Sequence, residues 1–120
     1  MKILKRALLG IALLGLSTTA SAQMDFSSID AGTATLTPEK CISIDVSEPV
    51  QEFYVFDITP LGFASEAEAA QYCNTDLSNL LTVYLDYPNT QVYLQLHTDR
   101  LTEAKSIAWW GNYISKYCFH

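Results

Sequence analysis

Hydrophobic and polar positions alternate one by one in the first periodic stretch of the chain. Ile42, Ile44 and Val46 are separated by single polar residues, a period of two that predicts a half-buried β-strand. The run from Gln51 to Ile58 is apolar at both odd and even positions, which is typical of a central strand. The turn-forming sequence Ser47-Glu48-Pro49-Val50 between them predicts that the two strands form a hairpin.

The register of this first hairpin decides which side chains share a face of the sheet. Closing the hairpin at its turn places Ile44 beside Phe53 and Ile42 beside Val55. The opposite face then carries two aromatic side chains, those of Tyr54 and Phe56. The pattern therefore predicts that both faces of this hairpin carry apolar side chains. The helices cover one face, and the other is open.

A second hairpin is predicted around the turn Tyr87-Pro88-Asn89-Thr90, because the residues on both sides of it alternate. Pairing Tyr84 with Tyr93 places three apolar pairs on one face: Leu81 with Leu96, Val83 with Leu94, and Leu85 with Val92. The opposite face receives mainly aromatic and polar side chains, namely Thr82, Tyr84, Asp86, Gln91, Tyr93 and Gln95, with His97 at its end.

Two helices are predicted, one after each hairpin. The sequence Ser65-Glu66-Ala67-Glu68 is a capping box and predicts a helix that ends near Asn79. A final helix is predicted from about Thr102 to Tyr117, in which Gly111 costs ~1 kcal/mol relative to alanine and indicates a close approach to another backbone. Trp109 and its neighbour Trp110 cannot both face the core.

The element order ββαββα predicts an α+β fold. Layer rules favour a two-layer sandwich, in which a four-stranded antiparallel sheet carries both helices on one face. With the first strand beside the second, the arrangement is a permuted ferredoxin-like one. The other face of the sheet is left open.

The N-terminus has the three parts of a secretory signal peptide. Three basic residues precede an apolar run of 10 residues, Ala7 to Leu16, and Ala20-Ser21-Ala22 offers a cleavage site before Gln23. The run is too short to span a bilayer. The sequence therefore predicts a signal peptide at 1–22, a flexible leader at 23–40 and a single domain at 41–120. We expect export, to a periplasm or out of the cell, with no membrane insertion after cleavage.

Charge narrows the choice of partners. The chain has 7 basic and 13 acidic side chains, and three of the basic ones belong to the predicted signal peptide. The remainder has four basic and 13 acidic side chains, a formal net charge of −9. Nucleic acids and anionic membranes bind basic surfaces, so neither is an expected partner.

The chain has three cysteines, Cys41, Cys73 and Cys118, and an exported protein meets an oxidising compartment. A Cys41–Cys118 disulfide is favoured because it closes the permuted sandwich. Cys73–Cys118 stays an alternative, since strand alternation directs Cys41 away from the helices. We expect no catalytic thiol at Cys73, because no histidine lies near it in sequence.

No motif for phosphate, a cofactor or a metal occurs, so we expect no cofactor and no metal site. The leading hypothesis is a binding domain that uses the aromatic open face, with six predicted contact residues: Tyr54, Phe56, Tyr84, Tyr93, Gln95 and His97. Its ligand would be a protein, a peptide, a neutral small molecule or a second copy of the chain. The alternatives are a small enzyme that uses His97 and nearby acids, an inhibitor or accessory subunit of a larger complex, and a face covered by the leader.

Overall fold

The computed structural model describes residues 24–119, which form six strands and two helices. The strands are β1 (Gly32–Leu36), β2 (Ile42–Ile44), β3 (Phe53–Asp57), β4 (Thr75–Asp76), β5 (Leu81–Asp86) and β6 (Gln91–Leu96); the helices are α1 (Glu66–Cys73) and α2 (Ile107–Ile114). The predicted signal peptide lies outside the described residues. Within them, neither helix is long and apolar enough to cross a membrane.

The six strands form one mixed sheet in the order β2-β1-β3-β6-β5-β4. All neighbours are antiparallel except β1 and β3, which are parallel. The α+β class is thus confirmed, whereas the predicted four-stranded antiparallel sheet is wrong. Two strands were missed, β1 and the two-residue β4.

Strand β1 lies within the segment predicted as a flexible leader. Gly32, Ala34 and Leu36 share one face, and the threonines between them share the other. This alternation is present in the sequence, but its inward side chains are mostly too small to stand out as hydrophobic. A small residue is needed at Gly32, because a Cβ there would lie 3.0 Å from the ring of Tyr54.

The first predicted hairpin is wrong, because β1 lies between its two strands. β2 pairs with β1, with Ala34 opposite Ile44, and β3 pairs with β1 and β6 instead. With β1 instead of β2 as its neighbour, β3 directs the side chains of Tyr54 and Phe56 to the core side of the sheet. Tyr54 and Phe56 are only 3% and 2% exposed and lie in the core, not on the open face.

The second predicted hairpin is confirmed residue by residue. β5 and β6 pair from Leu81 opposite Leu96 to Asp86 opposite Gln91, with Tyr84 opposite Tyr93. The turn closes at Thr90, which has a left-handed backbone with a φ of 54°. Here strict alternation left one register that places the apolar side chains of both strands on the core face, where all but the half-buried Leu85 are buried.

Both helices contribute to one core with the sheet, but each is shorter than predicted. The Ser65 hydroxyl caps α1 by accepting from the Glu68 amide at 3.1 Å, and the helix ends at Cys73. Helix α2 is capped by Ser106, and its neighbouring tryptophans divide as expected: Trp110 is buried and Trp109 is half-buried.

A disulfide joins Cys41 to Cys118, as favoured by the sequence. Backbone bonds flank it, from the Ile42 amide to the Tyr117 carbonyl at 3.0 Å and from the Phe119 amide to the Lys40 carbonyl at 2.8 Å. Cys73 is a free, buried thiol, and burial raises its pKa to about 12. It is therefore a packing residue rather than a nucleophile.

Candidate functional site

The face of the sheet that points away from the helices, called the outer face below, consists of three rows of side chains across the strands. The strand registers define these rows. The first row is Asp76, Thr82, Gln95 and Phe53; the second is Tyr84, Tyr93, Val55 and Thr33; the third is Asp86, Gln91 and Asp57. The middle row therefore places two tyrosines directly side by side.

Four of the six predicted contact residues are brought together at this face. Tyr84, Tyr93 and Gln95 are half-buried members of the first two rows, and His97 follows at the end of β6. The remaining two, Tyr54 and Phe56, belong to the core. Phe53 occupies the aromatic position on β3 that the prediction gave to its neighbour.

Hydrogen bonds hold the centre of the outer face in one arrangement. The Tyr84 hydroxyl donates to Gln95 Oε1 at 2.7 Å, and Gln95 Nε2 donates to Glu52 Oε2 at 2.8 Å. Partial burial raises the pKa of Tyr84, the charges of Asp76 and Glu52 raise it further, and Arg100 lowers it. Tyr84 therefore remains a neutral hydrogen-bond donor at physiological pH.

His97 belongs to a second chain of hydrogen bonds at the end of the first row. The Thr82 hydroxyl donates to Asp76 Oδ1 at 2.5 Å, and it lies 2.7 Å from His97 Nε2. A hydroxyl has only one proton, so His97 Nε2 is the donor to Thr82 when Asp76 is ionised. The Nδ1 atom of a neutral His97 then has a free lone pair.

Phe26 covers part of the outer face. It lies in a short 3₁₀ turn, Phe26–Ser28, and its ring stacks on Tyr93 with a centroid distance of 4.7 Å and an interplanar angle of 16°. A space of about 140 Å³ lies between Phe26, Tyr84 and Ala70 of α1. One of the alternatives from the sequence was that the leader covers this face, and Phe26 of that segment does contact it.

The outer face is acidic. Asp57 accepts from the hydroxyl of Thr59 at 2.6 Å and from its amide at 2.7 Å, and these bonds lower the pKa of the carboxyl. Glu52 and Asp76 are also exposed. In the described part of the chain, no three His, Cys, Asp or Glu side chains come together to hold a metal ion.

Sequence reasoning missed Phe26, Glu52 and Asp76 and assigned Phe53 and Val55 to the face under the helices. Glu52 precedes β3, and Asp76 belongs to the two-residue β4, in a segment that was predicted as part of a helix. Phe26 lies in a segment without a hydrophobic period, so only its aromatic side chain could have suggested a contact with the sheet.

Comparison of the chain with protein-family models, with curated proteins and with solved structures found no match. Function must therefore be argued from the chemistry of the outer face.

Proposed function

We propose that the protein is a small exported binding domain that takes a peptide or protein segment on the outer face of its sheet. The observation that carries this proposal is the pair Tyr84 and Tyr93, which are adjacent and half-buried on the outer face. Tyrosine offers a large contact area at a low cost in side-chain entropy. Adjacent, partly exposed tyrosines on the outer face are therefore suited to binding.

The polar groups beside these rings are held in place before any ligand arrives. Gln95 is fixed between the Tyr84 hydroxyl and Glu52, and Thr82 is fixed by Asp76. Groups that are already ordered lose little freedom on binding, so more of the contact energy appears as affinity. This arrangement supports recognition of a polar backbone or polar side chains next to an aromatic contact.

Charge selects among ligands. The described residues include 13 acidic and four basic side chains, and the outer face exposes Glu52, Asp57 and Asp76. A negatively charged surface accelerates the encounter with cationic ligands and repels anionic ones. We therefore expect a neutral or cationic segment. Export is supported by the disulfide, because stable disulfides form in oxidising compartments.

The test replaces both tyrosines by serine and measures two properties of the mature chain. Binding of the peptide acetyl-Lys-Phe-Lys-amide is measured by NMR titration, and self-association by sedimentation velocity. We expect Tyr84→Ser with Tyr93→Ser to weaken whichever association the wild type shows by about tenfold or more. Tyr72→Ser on α1, a side chain 51% exposed, is the matched control and should change neither property.

The same experiment can contradict the proposal in two ways. Association that survives the double substitution would place the interface elsewhere. A wild type that neither binds the peptide nor self-associates would argue against a binding face for cationic segments. Cooperative urea unfolding of the double variant must be retained for either conclusion, because both side chains are partly buried.

A hydrolytic enzyme is the second candidate, favoured by the chain Asp76–Thr82–His97. A neutral His97 with a free Nδ1 atom has the chemistry of a general base. The test is hydrolysis of p-nitrophenyl acetate by the wild type and by His97→Gln. The enzyme hypothesis requires a rate above that of free imidazole that is lost in the variant. A wild-type rate equal to that of imidazole would contradict it.

A further inference from the structure

The N-terminal strap, defined here as residues 24–31, already places an aromatic ring on the outer face. The ring of Phe26 lies nearly parallel to that of Tyr93, at 4.7 Å between centroids. Stacked rings of this kind attract each other beyond the area they bury. The contact shows that the exposed side of Tyr93 accepts a planar aromatic group.

Besides this stack, the strap is held by the partial burial of Met24, Ile29 and Ala31. The hydrogen bonds of its turn are internal: Asp25 accepts from the amide and hydroxyl of Ser27 and from Ser28. None of the residues of the turn Phe26–Ser28 is fully buried. The turn therefore keeps its own hydrogen bonds when the strap leaves the sheet, so detachment costs only the stack and the partly buried side chains.

Electrostatics also disfavour the strap relative to a cationic ligand. The strap carries Asp25 and Asp30 and no basic residue. The sheet beneath it exposes further carboxylates at Glu52 and Asp57. A peptide with lysine beside an aromatic residue would replace like charges by opposite charges at the same ring.

We propose that the exposed side of Tyr93 is a subsite for an aromatic side chain of a cationic peptide, and that Phe26 occupies it in the free protein. The inference rests on the proposed function and adds the chemistry of the side chain that is recognised. The peptide ring replaces Phe26, whose position on Tyr93 adjoins a space of about 140 Å³ lined by Phe26 and Tyr84. Phe26 is thus an internal competitor of the ligand.

The experiment compares two peptides, acetyl-Lys-Phe-Lys-amide and acetyl-Lys-Ala-Lys-amide, on the mature wild type and on Phe26→Ala. An internal competitor lowers the apparent affinity by the fraction of molecules in which the subsite is free. We expect Phe26→Ala to bind the phenylalanine peptide about 5–30-fold more tightly than the wild type does, which is the factor for a strap held by about one or two kcal/mol. The alanine peptide should bind both proteins equally.

A second measurement follows the strap itself. In the free wild type, NMR should show cross-relaxation between the ring protons of Phe26 and Tyr93, and a saturating amount of the phenylalanine peptide should remove it. Persistence of that signal in the saturated complex would overturn the inference. Equal affinity of the wild type and Phe26→Ala for the phenylalanine peptide would do the same.

The outcomes separate the inference from the proposed function. Binding of both peptides to the outer face without an effect of Phe26 would leave a binding face whose subsite lies elsewhere. No binding of either peptide by either protein would count against both ideas. The last variant to test is Tyr93→Ser. It should bind the phenylalanine and alanine peptides equally, and a remaining preference for the phenylalanine peptide would exclude Tyr93 as the subsite.

Discussion

At the scale of single residues, the direction in which Tyr54 points decides how β3 lies in the sheet. Its side chain is buried, and its hydroxyl accepts a hydrogen bond from the Gln51 amide at 3.1 Å. A buried tyrosine hydroxyl generally needs such a partner. Tyr54 is therefore a structural residue that ties the start of β3 to the core.

Removing this one hydroxyl gives a prediction about stability. Tyr54→Phe leaves the Gln51 amide without its partner, so we expect the free energy of unfolding in urea to fall by about 1 kcal/mol. Tyr72→Phe is the control, since Tyr72 is 51% exposed, and it should leave the free energy unchanged. Equal effects of the two substitutions would mean that Tyr54 does not point into the core.

Single residues also show what sequence could predict about the candidate site. Tyr84 and Tyr93 were placed correctly because polar and apolar positions alternate strictly along both of their strands. Tyr54 and Phe56 were misplaced because β3 is apolar at successive positions, so its own pattern is compatible with either face. Only the neighbouring strand decides between the two orientations, and that strand was not recognised.

At the scale of elements, the contact between α2 and the end of β2 depends on Gly111. A Cβ at this position would lie 2.5 Å from Cγ1 of Val46, closer than side-chain atoms can approach. The sequence indicated a close approach to another backbone at Gly111, whereas the neighbour is this side chain. Val46 is 50% exposed, so it has room to turn aside at some cost.

This contact predicts a coupling between two substitutions. Gly111→Ala should gain up to ~1 kcal/mol of helix stability, but in the wild type the contact with Val46 offsets that gain. In a Val46→Ala background the gain should appear in full. A double-mutant cycle measured by urea unfolding should therefore give a coupling of about 1 kcal/mol. Additive effects would show that α2 does not approach Val46 closely.

Elements differ in how far their sequences reveal them. The capping box at Ser65 and Glu68 identified the start of α1, because the cap is a local arrangement that a few residues determine. Strand β1 was hidden because its pairing with β3 joins Gly32 to Tyr54, a contact distant in sequence. Parallel strands cannot be joined by a tight turn, so no turn sequence next to β1 indicates that it pairs with β3.

At the scale of the whole molecule, both edge strands of the sheet are short. At one edge, β2 has three residues and its Ile42 amide donates to the Tyr117 carbonyl at 3.0 Å; at the other, β4 has two residues, and beside it the Leu85 amide donates to the Asn74 side chain at 3.4 Å. Very short edge strands discourage pairing with another chain. This leaves the outer face, rather than an edge, as the surface on which to test for partners.

The disulfide closes the molecule from its second strand to its last residues. It joins cysteines 77 positions apart, so in the chain-entropy description it removes much of the freedom of the unfolded chain, worth about 2–5 kcal/mol. Small domains are stable by about 5–15 kcal/mol in total.

Replacing Cys41 and Cys118 by serine should therefore lower the urea midpoint strongly. Reduction of the wild type should bring its midpoint to that of the variant, while the same reductant leaves the variant unchanged because Cys73 is a free thiol. A variant as stable as the oxidised wild type would show that the sheet and helices hold the fold without this link.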